Sequence, residues 1–179
     1  TTMIAFGRGL RRLLDGLYLA GGMIAALALV SILAIIVAQM VARWTGLIFP
    51  GAASYAGYAM ASASFFAFAH ALNRGAHIRV SILLNALGRH RRWLEVWCFG
   101  IGAALAWYLS YYAIKAVYWS HKLHDVSQGQ DATPLWIPQS AMAAGAVLLA
   151  IAMTDHLVRV LVLGSSGIVS DTVEQSHGE

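Results

Sequence analysis

Leu17–Ala42, LYLAGGMIAALALVSILAIIVAQMVA, contains no acidic, basic or histidine side chain. A helix needs about 20 apolar residues to cross a hydrocarbon core of about 30 Å, and a helix that is apolar all round must face lipid or lie deep in a large protein. The stretch therefore reads as a membrane span and decides the fold class. Three more runs are long enough to follow it: Gly51–Leu72, Trp93–Trp119 and Trp136–Leu163. The second is less hydrophobic and rich in Ala, Gly and Ser. The fourth is interrupted only toward its end, by Asp155, His156 and Arg159. The expectation is an all-α integral membrane protein, with four spans in a single domain over residues 1–163 and a flexible tail over 164–179.

Composition agrees. Of 179 residues, 59% are hydrophobic and 11% charged, against about 25% charged in soluble domains. Mean hydropathy is +0.66. The first apolar run exceeds the about 7–15 residues of a signal-peptide core and lacks a cleavage site, so it is expected to remain as an anchor. Cys98, the single cysteine, lies in an apolar stretch and gives no information about redox compartment.

The net charge of +4 is a matter of topology. Arg8, Arg11 and Arg12 precede the first span, Arg74, Arg79, Arg89, Arg91 and Arg92 surround the connection between spans two and three, and Arg159 closes the fourth. With four crossings these nine share one side, and only Arg43, Lys115 and Lys122 fall on the other. Basic residues accumulate on the cytoplasmic side, so both termini are expected in the cytoplasm. Nucleic-acid binding would need a basic soluble domain, which the chain lacks.

Two short segments have interfacial spacing. Leu10, Leu13, Leu14 and Leu17 recur at i, i+3, i+4, i+7 beside Arg8, Arg11 and Arg12. Val80, Leu83, Leu84 and Leu87 repeat the pattern within an expected helix over 77–89. Such helices lie in the headgroup plane, where Arg89, Arg91 and Arg92 would meet anionic lipid at roughly 1 kcal/mol each. The alternative for the second segment is a connecting helix buried against a partner protein. In span two, Ala59, Ala63, Ala67 and Ala71 recur every fourth residue, and small residues let helices approach closely in lipid. That face is read as packing within the chain, with packing against a partner as the alternative. Trp44, Trp93, Trp119 and Trp136 stand at span ends, as an aromatic belt requires.

The chemistry is defined mostly by what is missing. Residues 16–42, 44–69, 96–114 and 139–154 hold no Asp, Glu, Lys, Arg or His. Ion and proton pathways place such groups at depth because function compensates their cost. The chain alone therefore does not read as a pump, a channel or an enzyme. His70 and His156 near span ends offer a rival reading, a haem b or quinone-binding anchor of a redox enzyme. His121, His124 and Asp125 have a spacing that could hold a metal, but are read as a solvated loop end. Lys115 is read as snorkelling outward. Glu95 has Arg91 and Arg92 at helical spacing, and Asp155 and Arg159 form an i, i+4 pair. No cofactor is expected.

Two motifs carry a resemblance. Ala71–Val80 reads ALNRGAHIRV, and Thr133–Gln139 reads TPLWIPQ. With the helix number and the basic connector, over roughly Leu17–Leu163, the chain resembles the small Q-type (DctQ) subunit of tripartite ATP-independent periplasmic (TRAP) transporters. The motif residues are Arg74, Gly75, His77, Ile78 and Arg79, then Pro134, Trp136 and Pro138, followed by Gly145. The chain departs from the family pattern at Ser81, where an acid is frequent. The resemblance implies a scaffold subunit of a sodium-coupled importer of an organic acid or similar solute, located in a bacterial inner membrane. Its partners would be a large multi-helix membrane subunit, a periplasmic substrate-binding protein and membrane lipids. It also implies connector or partner contacts for the motif residues, and availability of Ser120–Leu135 to the binding protein.

Overall fold

A computed structural model describes residues 2–73 and 91–163. The motif residues Arg74, Gly75, His77, Ile78 and Arg79, together with Arg89, the helix expected over 77–89 and the tail 164–179, lie outside the described residues, as do the side chains of Arg8, Leu10, Arg91 and Arg92. The described chain forms four helices: α1 (Thr2–Thr45), α2 (Ala52–Asn73), α3 (Arg91–Leu123) and α4 (Trp136–Leu163).

Three of them are long and apolar enough to cross a membrane, over Arg11–Thr45, Trp93–Leu123 and Trp136–Val162. The 22 residues of α2 suffice in length, but Ala, Gly and Ser lower its hydropathy. Its position accounts for that composition. The helices form an open layer in the spatial order α1, α2, α4, α3, with α2 packed between α1 and α4, and α3 packed extensively on α4 alone. Within the apolar stretches, 44% of α4 is buried, against 6% of α1 and 17% of α3. The edge helices carry the large aliphatic and aromatic side chains that lipid requires, and the inner helices carry small ones.

The amphipathic N-terminal piece is not a separate element. α1 runs unbroken for 44 residues, about 66 Å at 1.5 Å per residue. Nothing between Arg12 and Leu17 stops a helix, because Asp15 and Gly16 are followed at once by strong helix formers. Leu14 packs against the core while Leu13 is exposed.

Helix ends follow from local backbone chemistry. Gly46, at φ +76°, closes α1, with the Leu47 N–H donating to the Ala42 carbonyl at 2.9 Å and the Gly46 N–H to that of Arg43 at 3.4 Å. This double bond pattern needs a left-handed residue, and glycine adopts it without strain. His124, at φ 54°, does the same for α3, with the Asp125 N–H donating to the Ser120 carbonyl at 3.0 Å. Pro138 falls in the first turn of α4, where a missing N–H costs nothing. Hydroxyls inside the spans are satisfied locally, as where Ser110 donates to the Ala106 carbonyl at 2.8 Å and Thr154 to that of Ala150 at 2.8 Å.

Close backbone approach holds the layer together. A Cβ on Gly145 of α4 would lie 2.8 Å from the Phe65 carbonyl carbon and 2.6 Å from the Phe65 Cβ on α2. One on Gly21 would meet Leu148 at 2.6 Å, and one on Gly22 the His70 ring at 2.9 Å. Along the alanine stripe, Ala63 is buried, while Ala59, Ala67 and Ala71 are half-buried. The core cluster of Tyr18, Ala69, Leu72, Leu148 and Ala152 lies toward the end of the layer opposite the two described interhelical loops.

Candidate functional site

Side chains with chemistry gather at the two ends of the layer. At the core-cluster end, each helix contributes. Asp155 and Arg159, one turn apart on α4, form an ion pair with Nη2 2.6 Å from Oδ2, their side chains 16% and 9% exposed. Tyr18 of α1 is fully buried beside the pair, its hydroxyl within electrostatic reach of both charges. His70 of α2 has Nδ1 3.3 Å from the Tyr18 carbonyl oxygen; a carbonyl can only accept, so Nδ1 carries the proton. Glu95 of α3 is buried as well. His156 is fully enclosed, its ring stacked on Phe99 of α3 at 5.6 Å between centroids and 21° between planes.

Two of its contacts join helices, the His70–Tyr18 hydrogen bond between α2 and α1 and the Phe99–His156 stack between α3 and α4, while the ion pair lies within α4. A buried ion pair with hydrogen-bonding neighbours has few alternative arrangements, because each displaced partner would leave a charge in a low-dielectric medium. The haem reading gains no support from the geometry. His70 turns Nδ1 toward the Tyr18 carbonyl, and the His156 ring is fully buried and stacked on Phe99, so both rings are engaged in packing between helices. Glu95 was expected to pair with Arg91 or Arg92, whose side chains lie outside the described residues.

The loop end is built around Asp131. Its Oδ2 accepts from the Tyr58 hydroxyl of α2 at 3.0 Å and its Oδ1 from the Ser127 hydroxyl at 3.1 Å. Ser127 in turn accepts from the Gly129 N–H at 3.2 Å. Gly51, at φ +78°, lies so close that a Cβ there would be 2.7 Å from the Asp131 Cβ. The α1–α2 and α3–α4 loops are thereby clamped together. Hydrogen bonds from the Thr133 side chain, then Tyr58, then Ser127 hold the Asp131 carboxyl well below the usual carboxylate range. A depressed acid contributes stability above its unfolded value near 4 and loses it only as pH falls through the lower folded value, so the clamp is constant from about pH 5 to 8. Tyr58→Phe and Asp131→Asn are each expected to speed amide exchange several-fold across residues 125–135 without loosening the helices. Unchanged exchange there would remove the clamp role.

Pro134 and Trp136 belong to the same end. Pro134 faces Val126 in an isolated antiparallel bridge, flanked by Ser127 N–H to Thr133 carbonyl at 2.8 Å and Leu135 N–H to Asp125 carbonyl at 2.9 Å. Trp136 meets the His121 ring edge-on at 5.5 Å. His121 is thus taken up by an aromatic contact and His124 by the end of α3, and no group of His, Cys, Asp or Glu fit to hold a metal occurs among the described residues. Gly145 lies apart from the other motif residues, at the α2–α4 contact.

Sequence reasoning missed Tyr18, Tyr58 and Asp131. Asp131 left a trace, as the lone acid in the polar run Ser127–Thr133, a composition typical of side chains that bond their own loop. The tyrosines left none, since partners 73 residues apart have no periodicity.

On α1, Val30, Leu33, Val37 and Val41 line an open groove with Ala34 and Ala38, and Cys98 of α3 is exposed. Comparison with protein families gives a match over residues 32–163 to the DctQ component of tripartite ATP-independent periplasmic transporters. No curated protein and no solved structure matches the chain.

Proposed function

The chain belongs to the DctQ family of small membrane components of TRAP transporters, and from that premise we propose that it is the scaffold on which a sodium-coupled, binding-protein-dependent importer of an organic acid is assembled. The family match carries the reading, since it takes in α2, α3 and α4 entirely and the last third of α1. The layer supports it. Its buried charges cluster at one end, and the edge helix α1 presents a large exposed apolar face suited to lateral contact.

In this reading all four helices cross the inner membrane, with both termini and the arginine-rich connector in the cytoplasm. The large membrane subunit carries the solute and sodium sites. The connector motif, with His77 and Arg79, holds that subunit. The clamped loops of the opposite face stand in the periplasm, where the binding protein arrives. A braced platform suits this division of labour, because a moving partner needs a fixed one to move against.

Co-purification and uptake test the reading. His77→Ala with Arg79→Ala is expected to lower recovery of the large subunit with the tagged chain and to lower uptake in parallel. Full recovery and full uptake would remove the connector role. Sodium-driven solute flux in liposomes holding this chain alone would overturn the scaffold reading itself.

A further inference from the structure

The outer face of α3 carries an arrangement that scaffolding does not explain. At about 100° per residue, Tyr108, Tyr111, Tyr112, Lys115, Tyr118, Trp119 and Lys122 fall within an arc of about 120°. The opposite arc holds Ala103, Ala106, Ser110 and Ser120, all buried, on the side where α3 packs on α4. The stripe therefore points away from the rest of the layer, and its aromatic members are 44–64% exposed.

Its depth is set by α4. His121 meets Trp136, the first residue of α4, so Trp119 and Lys122 lie at the loop-face boundary of the layer and Lys115 lies one turn below Trp119 and two below Lys122, about 10 Å from it along the axis, within snorkelling distance. The lysines have no carboxylate partner among the described residues. Lys115 lies 5.9 Å from the Tyr112 ring centroid, and Lys122 lies 5.2 Å from that of Trp119 and 5.9 Å from that of Tyr118. Below them the same face continues as the exposed aliphatics Leu105 and Ile101.

The geometry points to a binding site for one anionic phospholipid of the leaflet at the loop face. Lys115 and Lys122 take the phosphate, the tyrosine hydroxyls its ester region, and Leu105 and Ile101 an acyl chain. Charge decides for a lipid over a protein helix. A partner helix packed here would bury two cations with no carboxylate supplied by this chain, against bulky rings that prevent close approach. Close helix packing in lipid favours small residues, which α1 presents instead as Ala34 and Ala38. The inference is independent of the scaffold reading, since it requires nothing of the transporter partners.

Native mass spectrometry of the full-length chain, with any membrane subunit that accompanies it, tests the site. The probes are dioleoylphosphatidylglycerol, dioleoylphosphatidylcholine and inorganic phosphate. Phosphatidylglycerol is expected to be retained over phosphatidylcholine. Lys115→Gln with Lys122→Gln should lower that retention by about one order of magnitude, and Lys115→Arg with Lys122→Arg should preserve it. The substituted side chains are exposed, so helicity and melting should not change. Three results would each overturn the inference: equal lipid retention by the glutamine variant, displacement of the lipid by inorganic phosphate at equal concentration, or loss of an accompanying subunit from the glutamine variant.

Discussion

Arg159→Ala is expected to destabilise the helix layer by about 3–5 kcal/mol, the cost of stranding one member of a buried ion pair. Arg159 and Asp155 are one turn apart in a span, 2.6 Å between charged atoms, and nearly enclosed. Water cannot replace the lost partner there, and Tyr18 beside the carboxylate carries no charge to balance it. Replacing both members with apolar residues of similar volume should cost far less, because burying matched apolar groups is close to neutral where breaking a pair is not. Arg11 and Asp15 supply the contrast. They have the same i, i+4 spacing, but lie 4.0 Å apart with side chains 55% and 48% exposed, and such pairs contribute only about 0–1 kcal/mol. Thermal unfolding in detergent of the single, double and Arg11→Ala variants checks this. A single variant no less stable than the double would show that the layer does not depend on keeping this buried pair matched.

Gly145→Leu is expected to be at least as damaging, and even Gly145→Ala should destabilise. Alanine in a helix interior is favoured over glycine by about 1 kcal/mol, so on local grounds the change should help. The neighbour reverses the sign. A Cβ at 145 would fall 2.8 Å from a backbone carbon of Phe65, and backbone cannot turn aside as a side-chain tip can. α2 and α4 must separate, giving up packing around Phe65, Ala63 and Ala146, at about 1–3 kcal/mol for the smaller residue and more for leucine. Gly57, where a Cβ would meet nothing within 4 Å, is the internal control. Gly57→Ala should be neutral or stabilising, and equal behaviour of the two alanine variants would refute the close-contact account.

Both effects concern rigidity, which connects the packing to the function. Two short loops join the helix pairs at one end, and Asp131 ties those loops to each other. At the other end a hydrogen bond joins His70 of α2 to Tyr18 of α1 and a ring stack joins His156 of α4 to Phe99 of α3, and the glycine contacts bring α2 and α4 together. Such a layer resists shear, as the scaffold role proposed above requires. Its open edges distribute tasks between α1, with its small-residue face, and α3, with its aromatic and cationic one.

Much of this was legible in the sequence, because the signals are local. Uninterrupted apolar runs marked α2, α3 and α4 to within a few residues but not the start of α1, which begins at Thr2 rather than near Leu17, and Pro134, Trp136 and Pro138 marked the start of α4. The family was recognisable from ALNRGAHIRV, TPLWIPQ and the basic connector. The roles of Asp155 and Arg159 were not legible, since an i, i+4 pair looks the same whether it faces headgroups or the inside of a helix layer. Nor was the choice of Gly145 over the other glycines, or the reach of Tyr58 to Asp131. Those depend on which helices become neighbours, and where apolar residues surround most of each helix, hydrophobicity does not choose the pairing. Only the complementarity of small and large surfaces does, and that exists once the helices are assembled.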